Sequence, residues 1–273
     1  MKHLIKGALA LGVAAAALTT PASATHSWGG YQWARTSNPF TLKLGDNVTS
    51  NWDSYLGVAS ADWSQSSVLD TVVVAGGAGN VKRCAATTGR VEVCNSTYGN
   101  TGWLGIASIS ITGSVHITSG TVKQNDTYFN QAQYNTSAWR QMVMCQEIGH
   151  TFGLDHQDTT FDNLNLGTCM DYTNSPTGGG SNGSLDNEHP NAHDYEELVT
   201  IYSHADSSTT VGAAVPTGNR AEIGNSPKSW GRPIHFLRDG RPDQYMRFDG
   251  PGRFTLTHVL WARGKGPADS NID

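Results

Sequence analysis

The stretch Gln146-Glu147-Ile148-Gly149-His150-Thr151-Phe152-Gly153-Leu154-Asp155-His156 decides how the rest of the chain is read. Upstream of it, Trp139, Met142, Val143 and Ile148 recur at helical spacing behind a start signal at Asn135 or Thr136, which predicts a helix running to Phe152. On such a helix, positions 146 and 150 lie one turn apart on one face. Glu147 is offset by roughly 100°, near enough to reach a water beside a metal without ligating the metal. Gly153 is placed to end the helix in a left-handed conformation, so the chain reverses and His156 returns toward the same point. Three protein ligands with a fourth position left open is the composition of a catalytic zinc site.

A second segment follows a short span later: Gly167-Thr168-Cys169-Met170-Asp171-Tyr172. With both segments in view, the chain resembles the metzincins, zinc peptidases marked by His-Glu-x-x-His-x-x-Gly-x-x-His and a methionine turn. The resemblance spans roughly residues 40–204. It implies an α+β, zincin-type fold: a twisted, mixed, five-stranded sheet, an active-site helix and a closing C-terminal helix. It further implies zinc as cofactor, Glu147 as general base, Met170 beneath the metal and Tyr172 beside it as oxyanion stabiliser. The Gly-, Ser- and Asn-rich stretch 173–187 is expected to be a long mobile loop, and the resemblance makes it a wall of the substrate pocket. A peptide substrate would lie extended along an edge strand, expected at Leu104–Ala107, by strand addition.

One signature residue differs. Gln146 stands where the family has its first histidine. Its carbonyl oxygen reaches about as far as the distal imidazole nitrogen, but zinc prefers nitrogen or sulfur to a neutral oxygen. Three readings stay open: Gln146 ligates the metal with His150 and His156; the two histidines hold it with another group, Tyr172 being nearest; or the site is inactive. The corresponding functions are a secreted metallo-endopeptidase and a secreted binding protein that keeps the scaffold without catalysis. Each residue taken singly has an ordinary reading: a lone histidine satisfied by hydrogen bonds, a core methionine, a glycine cap. Their joint spacing defeats it. His193 reads as a helix-start residue, and His26, His116, His189, His204, His235 and His258 have no ligand spacing.

The surroundings fit an exported protein. Residues 1–24 combine Lys2 and Lys6, an apolar Ala-rich run and Ala22-Ser23-Ala24, the pattern of a cleaved signal peptide that is too short to span a membrane. Export makes four cysteines an even, disulfide-forming set. A local Cys84–Cys94 bridge closing a hairpin leaves Cys145 to pair with Cys169. Residues 25–206 hold 7 Lys+Arg against 17 Asp+Glu, net −10, which argues against nucleic acid as a partner. Residues 207–273 carry net +3, scattered singly, and read as a solvated surface.

The domain plan is therefore a signal peptide over 1–24, a catalytic domain over 25–206, and a linker with a β-rich extension over 207–273. Strands are expected at 40–44, 71–74, 104–111 and 115–122, then at 233–237, 244–248 and 254–262 in the extension. Helices are expected from Trp52 to Trp63, capped by Ser50 and Asp53, and from Asp194, with Glu197 completing a capping box. The N-terminal stretch is too short for a family-type pro-domain, so no cysteine-switch latency is expected. The expected partner is a peptide or protein substrate; no membrane span is expected, and the protein itself is expected to be a monomer.

Overall fold

The computed structural model describes residues 26–212 and 223–270. The expected signal segment and part of the expected linker lie outside the described residues. The element order is β1 (Gln32–Trp33), β2 (Phe40–Asn47), α1 (Asp53–Trp63), β3 (Leu69–Ala75), β4 (Val91–Ser96), β5 (Trp103–Thr112), β6 (His116–Asn125), α2 (Asp126–Phe129), α3 (Ser137–His150), α4 (Ala192–Ile201), α5 (Pro227–Trp230), β7 (Arg232–Phe236), β8 (Pro242–Gly250) and β9 (Arg253–Trp261).

The alternation of β2 is what a half-buried strand requires: Phe40, Leu42 and Leu44 are buried, Thr41 and Lys43 exposed. On α1, Leu56, Ala59 and Trp63 form the buried stripe, and the Trp63 indole donates to the Cys145 carbonyl at 3.1 Å, tying α1 to α3. The helix begins after Trp52, whose side chain makes no cap bond, so Ser50 and Asp53 do not form the expected box. On α4 the capping box is Asn191 with Asp194, one turn before the expected Asp194–Glu197 pair. The sequence reading missed β4, which lies between the cysteines. Its Glu92 is fully buried, held by Arg90 at 2.6 Å and by Asn47 and the Gly77 amide, and a central glutamate hides a strand from pattern reading. Cys94 sits on β4, and the Cys84–Cys94 bridge is present, but it fastens a loop to a central strand rather than closing a hairpin.

The sheet order is β3-β2-β4-β6-β5-β9-β8-β7, with β1 pairing β6 beside this path. The half from β3 to β6 is parallel, and β6-β5-β9-β8-β7 is antiparallel. Five strands, β3-β2-β4-β6-β5, match the expected mixed sheet. The strands of the extension do not form a separate layer: they continue the same sheet beyond β5. This overturns the expected edge at Leu104–Ala107. β5 is flanked by β6 on one side and along its whole length by β9 on the other, from Trp103 opposite Trp261 to Thr112 opposite Arg253. Among the described residues no helix is long and apolar enough to cross a membrane.

Candidate metal centre

Thr136 caps α3, its hydroxyl accepting from the Trp139 amide, and the helix presents Gln146, Glu147 and His150 in its last turns, all buried. It ends at His150. Gly153 then takes φ 96°, and a side chain there would run into the Tyr31 carbonyl, its Cβ lying 2.0 Å away. The reversal places the Leu154 carbonyl 2.8 Å from His150 Nδ1. A carbonyl only accepts, so Nδ1 carries the proton and Nε2 keeps its lone pair.

His156 follows with its Nε2 3.1 Å from His150 Nε2. Its Nδ1 lies 3.3 Å from the Asp155 carboxylate, which accepts the His156 backbone amide at 2.9 Å. Gln244 on β8 steadies Asp155 with two donor contacts of 2.9 and 3.1 Å. Burial alone would raise Asp155, but the hydrogen bond and charge of His156 bring it below the usual carboxylate range. The two Nε2 atoms thus face each other across 3.1 Å, within hydrogen-bond distance and close enough to share one ligand set.

The third member is His258, on β9. One ring nitrogen from each of His150, His156 and His258 lies within 4.8 Å of the others, with all three residues buried. His258 was set aside from the sequence for want of ligand spacing, and the fold overturns that: pairing with β5 carries it across the sheet to α3. Its Nε2 lies 2.9 Å from the Tyr172 hydroxyl, and its Nδ1 3.5 Å from Glu147 Oε2. One sequence signal was available. His258 shares a strand face with Leu256 and Leu260 at alternate positions, and both are buried; a histidine among inward-facing apolar positions is a candidate for a buried task.

Gln146, expected as the first ligand, is anchored through its amide nitrogen. Its Nε2 donates to the Cys169 carbonyl at 2.7 Å, while Oε1 is buried without a hydrogen-bond partner. The second disulfide, Cys145–Cys169, is present with Cα atoms 6.0 Å apart and brackets this contact. Met170 lies against α3: a Cβ on Gly149 would come within 2.7 Å of its sulfur. Tyr172 is buried, stacked on Phe161 and close to His156, with ring centroids 4.7 and 4.3 Å away. The 173–187 loop is pinned by side-chain amides. Asn165 donates to the Ser175 and Leu185 carbonyls, and Asn182 to those of Phe161 and Asn163.

Glu147 is completely buried, and neither carboxylate oxygen has a hydrogen-bond partner. Burial pushes its proton affinity well above the ordinary carboxylate range. The space it occupies exists because position 105 is glycine: a Cβ there would stand 2.6 Å from Glu147 Oε1. Burial, with the charge of His156 second, lowers His150 to about 3; burial likewise drives His258 well below 6.5. Both imidazoles are thus neutral and offer lone pairs at neutral pH. Three imidazole nitrogens, a carboxylate without a hydrogen-bond partner and an orphaned amide oxygen are a donor set that fits zinc.

No protein-family model and no curated protein matches the chain. Among solved structures, it is similar to myroilysin, at 13% identity over 65% of this chain and 98% of that one, with a TM-score of 0.35. It is also similar to high choriolytic enzyme 1, a hatching-enzyme zinc-protease from the medaka fish Oryzias latipes, at 10% identity over 63% and 94% of the two chains, with a TM-score of 0.35. A second myroilysin structure gives 15% identity, coverages of 68% and 97%, and a TM-score of 0.34.

Proposed function

We propose that this chain is a secreted zinc-dependent metallo-endopeptidase whose metal is held by His150, His156 and His258. The observation that carries the reading is the 3.1 Å approach of the His150 and His156 Nε2 atoms, beside a third imidazole and a buried carboxylate with no hydrogen-bond partner. Bound zinc supplies a Lewis acid that polarises a water and the scissile carbonyl. The chain's own residues do the rest. Glu147 takes a proton and returns it to the leaving amine, and its raised proton affinity suits a group that must hold that proton between steps. Burial keeps the Tyr172 hydroxyl protonated far above its usual range, so it serves as a donor to developing negative charge. The Cys145–Cys169 bridge and the Gln146–Cys169 hydrogen bond hold the Met170 turn against α3.

The test is metal analysis of the purified chain together with hydrolysis of a quenched peptide library. Stoichiometric zinc is the expected result, and whatever cleavage the chain or an opened form of it shows should be lost to a chelator. Glu147→Gln should keep the metal and lose cleavage. Loss of metal in that variant would assign Glu147 to ligation instead.

A specific observation favours the second reading, a scaffold without turnover. Glu147, His150, Tyr172 and His258 are each at most 1% exposed, so the centre as described does not admit a peptide. Zinc binding without cleavage by any variant would establish that reading.

A further inference from the structure

The closure of the site has one identifiable cause, and it is a segment of this chain. β9 lies antiparallel against β5, on the side of that strand left open by the β3-β2-β4-β6-β5 sheet. This is the position an extended peptide would take by strand addition to reach a metal on α3. Residue by residue, β9 behaves as such a peptide. His258 lies opposite Ala107, and its ring nitrogen completes the histidine cluster. His258 Nε2 engages the Tyr172 hydroxyl, the donor expected to serve a substrate carbonyl. On the opposite face Thr257 meets Ser108, their hydroxyls 2.9 Å apart in the core. The neighbouring strand secures the arrangement: Gln244 on β8 bonds both Trp28 and the Asp155 carboxylate beside His156.

We propose that the β8–β9 hairpin is a built-in occupant of the substrate cleft, so that the chain is latent until β9 leaves β5. The proposal rests on the metallopeptidase reading and says how that site is regulated. Release removes His258 from the metal and frees Tyr172. The centre then keeps His150 and His156, with Gln146 Oε1, orphaned in the closed form, turning to the vacant ligand position. The occupant that opens β5 is any extended peptide able to pair along Trp103–Thr112, and the first such peptide is the segment Arg253–Trp261 itself.

The test uses the full-length, zinc-loaded chain and a fluorescein-labelled synthetic peptide of residues 253–261. Three proteins are compared: wild type; a locked form, Ser108→Cys with Thr257→Cys, whose cross-link is verified by mass spectrometry; and a loosened form, Thr257→Pro. Facing residues on paired strands have Cβ atoms about 4.5–5.5 Å apart, near enough for such a bridge to form with a small adjustment. By fluorescence anisotropy the loosened form should bind at least tenfold more tightly than wild type, and the locked form not at all. The same peptide with alanine for its histidine should bind the loosened form more weakly only when zinc is present. Hydrogen exchange of the Ile106–Ile109 amides should rise in the loosened form and fall in the locked one. This reports on strand release even if proline weakens the fold elsewhere. Peptide binding to the locked form at wild-type affinity, or hydrolysis by it at the wild-type rate, overturns the proposal. If binding follows the expected order while no variant hydrolyses any peptide, β9 remains the occupant and the peptidase reading falls.

Discussion

Replacing His258 with alanine separates the arrangement found in the fold from the one legible in the α3 motif. Apparent zinc affinities of structural peptide sites are about 10–16 kcal/mol at neutral pH. Shared among three nitrogen ligands, the loss of one is about 3–5 kcal/mol, or roughly 10²–10⁴ in dissociation constant. His258 is fully buried and within 4.8 Å of both partner ligands, so no water-filled route softens its removal. Gln146→Leu is the matched control. It deletes the Nε2 donor to the Cys169 carbonyl, leaving that carbonyl unpaired at about 1–3 kcal/mol of stability, yet it should change zinc affinity of the closed form by less than about tenfold. Competition titration against a chromophoric chelator at fixed pH measures both variants. Thermal unfolding of the metal-free proteins checks that each is folded. An His258→Ala affinity within threefold of wild type, or a larger loss in Gln146→Leu than in His258→Ala, would refute the three-histidine assignment.

Other consequences follow from the same geometry. In the metal-free protein, burial raises Glu147 above 4.5, so its contribution to stability is complete below that value and is lost as pH rises toward the folded pKa. Glu147→Gln should therefore match wild type in urea midpoint near pH 4 and exceed it at pH 7, the gap growing by up to about 1.4 kcal/mol per pH unit; an equal difference at both pH values would contradict this. Gly105→Ala should lower peptide hydrolysis at least tenfold and loosen zinc, because the added methyl would stand 2.6 Å from Glu147 Oε1 and 2.7 Å from Val143; unchanged kinetics would show that Glu147 is not held against β5. Cys145→Ala with Cys169→Ala opens a loop of sequence separation 24 and should cost about 3 kcal/mol in the chain-entropy model, read as a lower urea midpoint, with weaker zinc binding as the Met170 turn loosens.

What the sequence made legible were the parts whose partners lie near one another along the chain. α3 and the Gly153 reversal follow from local rules, helical period and a glycine placed to end a helix; the Met170-x-Tyr172 turn follows from the family resemblance, and the disulfides from an even cysteine count with one local pair. β2, β5 and β6 announce themselves by alternation or by runs of apolar residues. The misses share a different cause. β4 holds a buried glutamate whose compensation comes from Arg90, Asn47 and Gly77, and no local pattern reveals a charge paired by its neighbours in space. The 173–187 stretch has the composition of a mobile loop, but its order comes from the Asn165 and Asn182 amides satisfying backbone carbonyls, which composition does not record.

His258, the proposed third ligand, is the sharpest case. Gln146 is a deficit in a local motif, and local spacing offers only nearby residues such as Tyr172 to fill it. The remedy lies 112 residues later in the numbering, on a strand whose only route to α3 is through pairing with β5. Metal chemistry and strand pairing then constrain each other. A strong nitrogen at 146 would complete the site without β9 and leave the hairpin only its backbone bonds to hold it. On the proposed reading, a weak oxygen there makes the closed form the better metal site, so zinc binding would favour β9 on β5 by mass action. If the hairpin is a removable occupant, zinc should protect the Ile106–Ile109 amides from exchange in wild type and fail to do so in His258→Ala. Equal protection in both would mean that strand pairing alone holds the site shut.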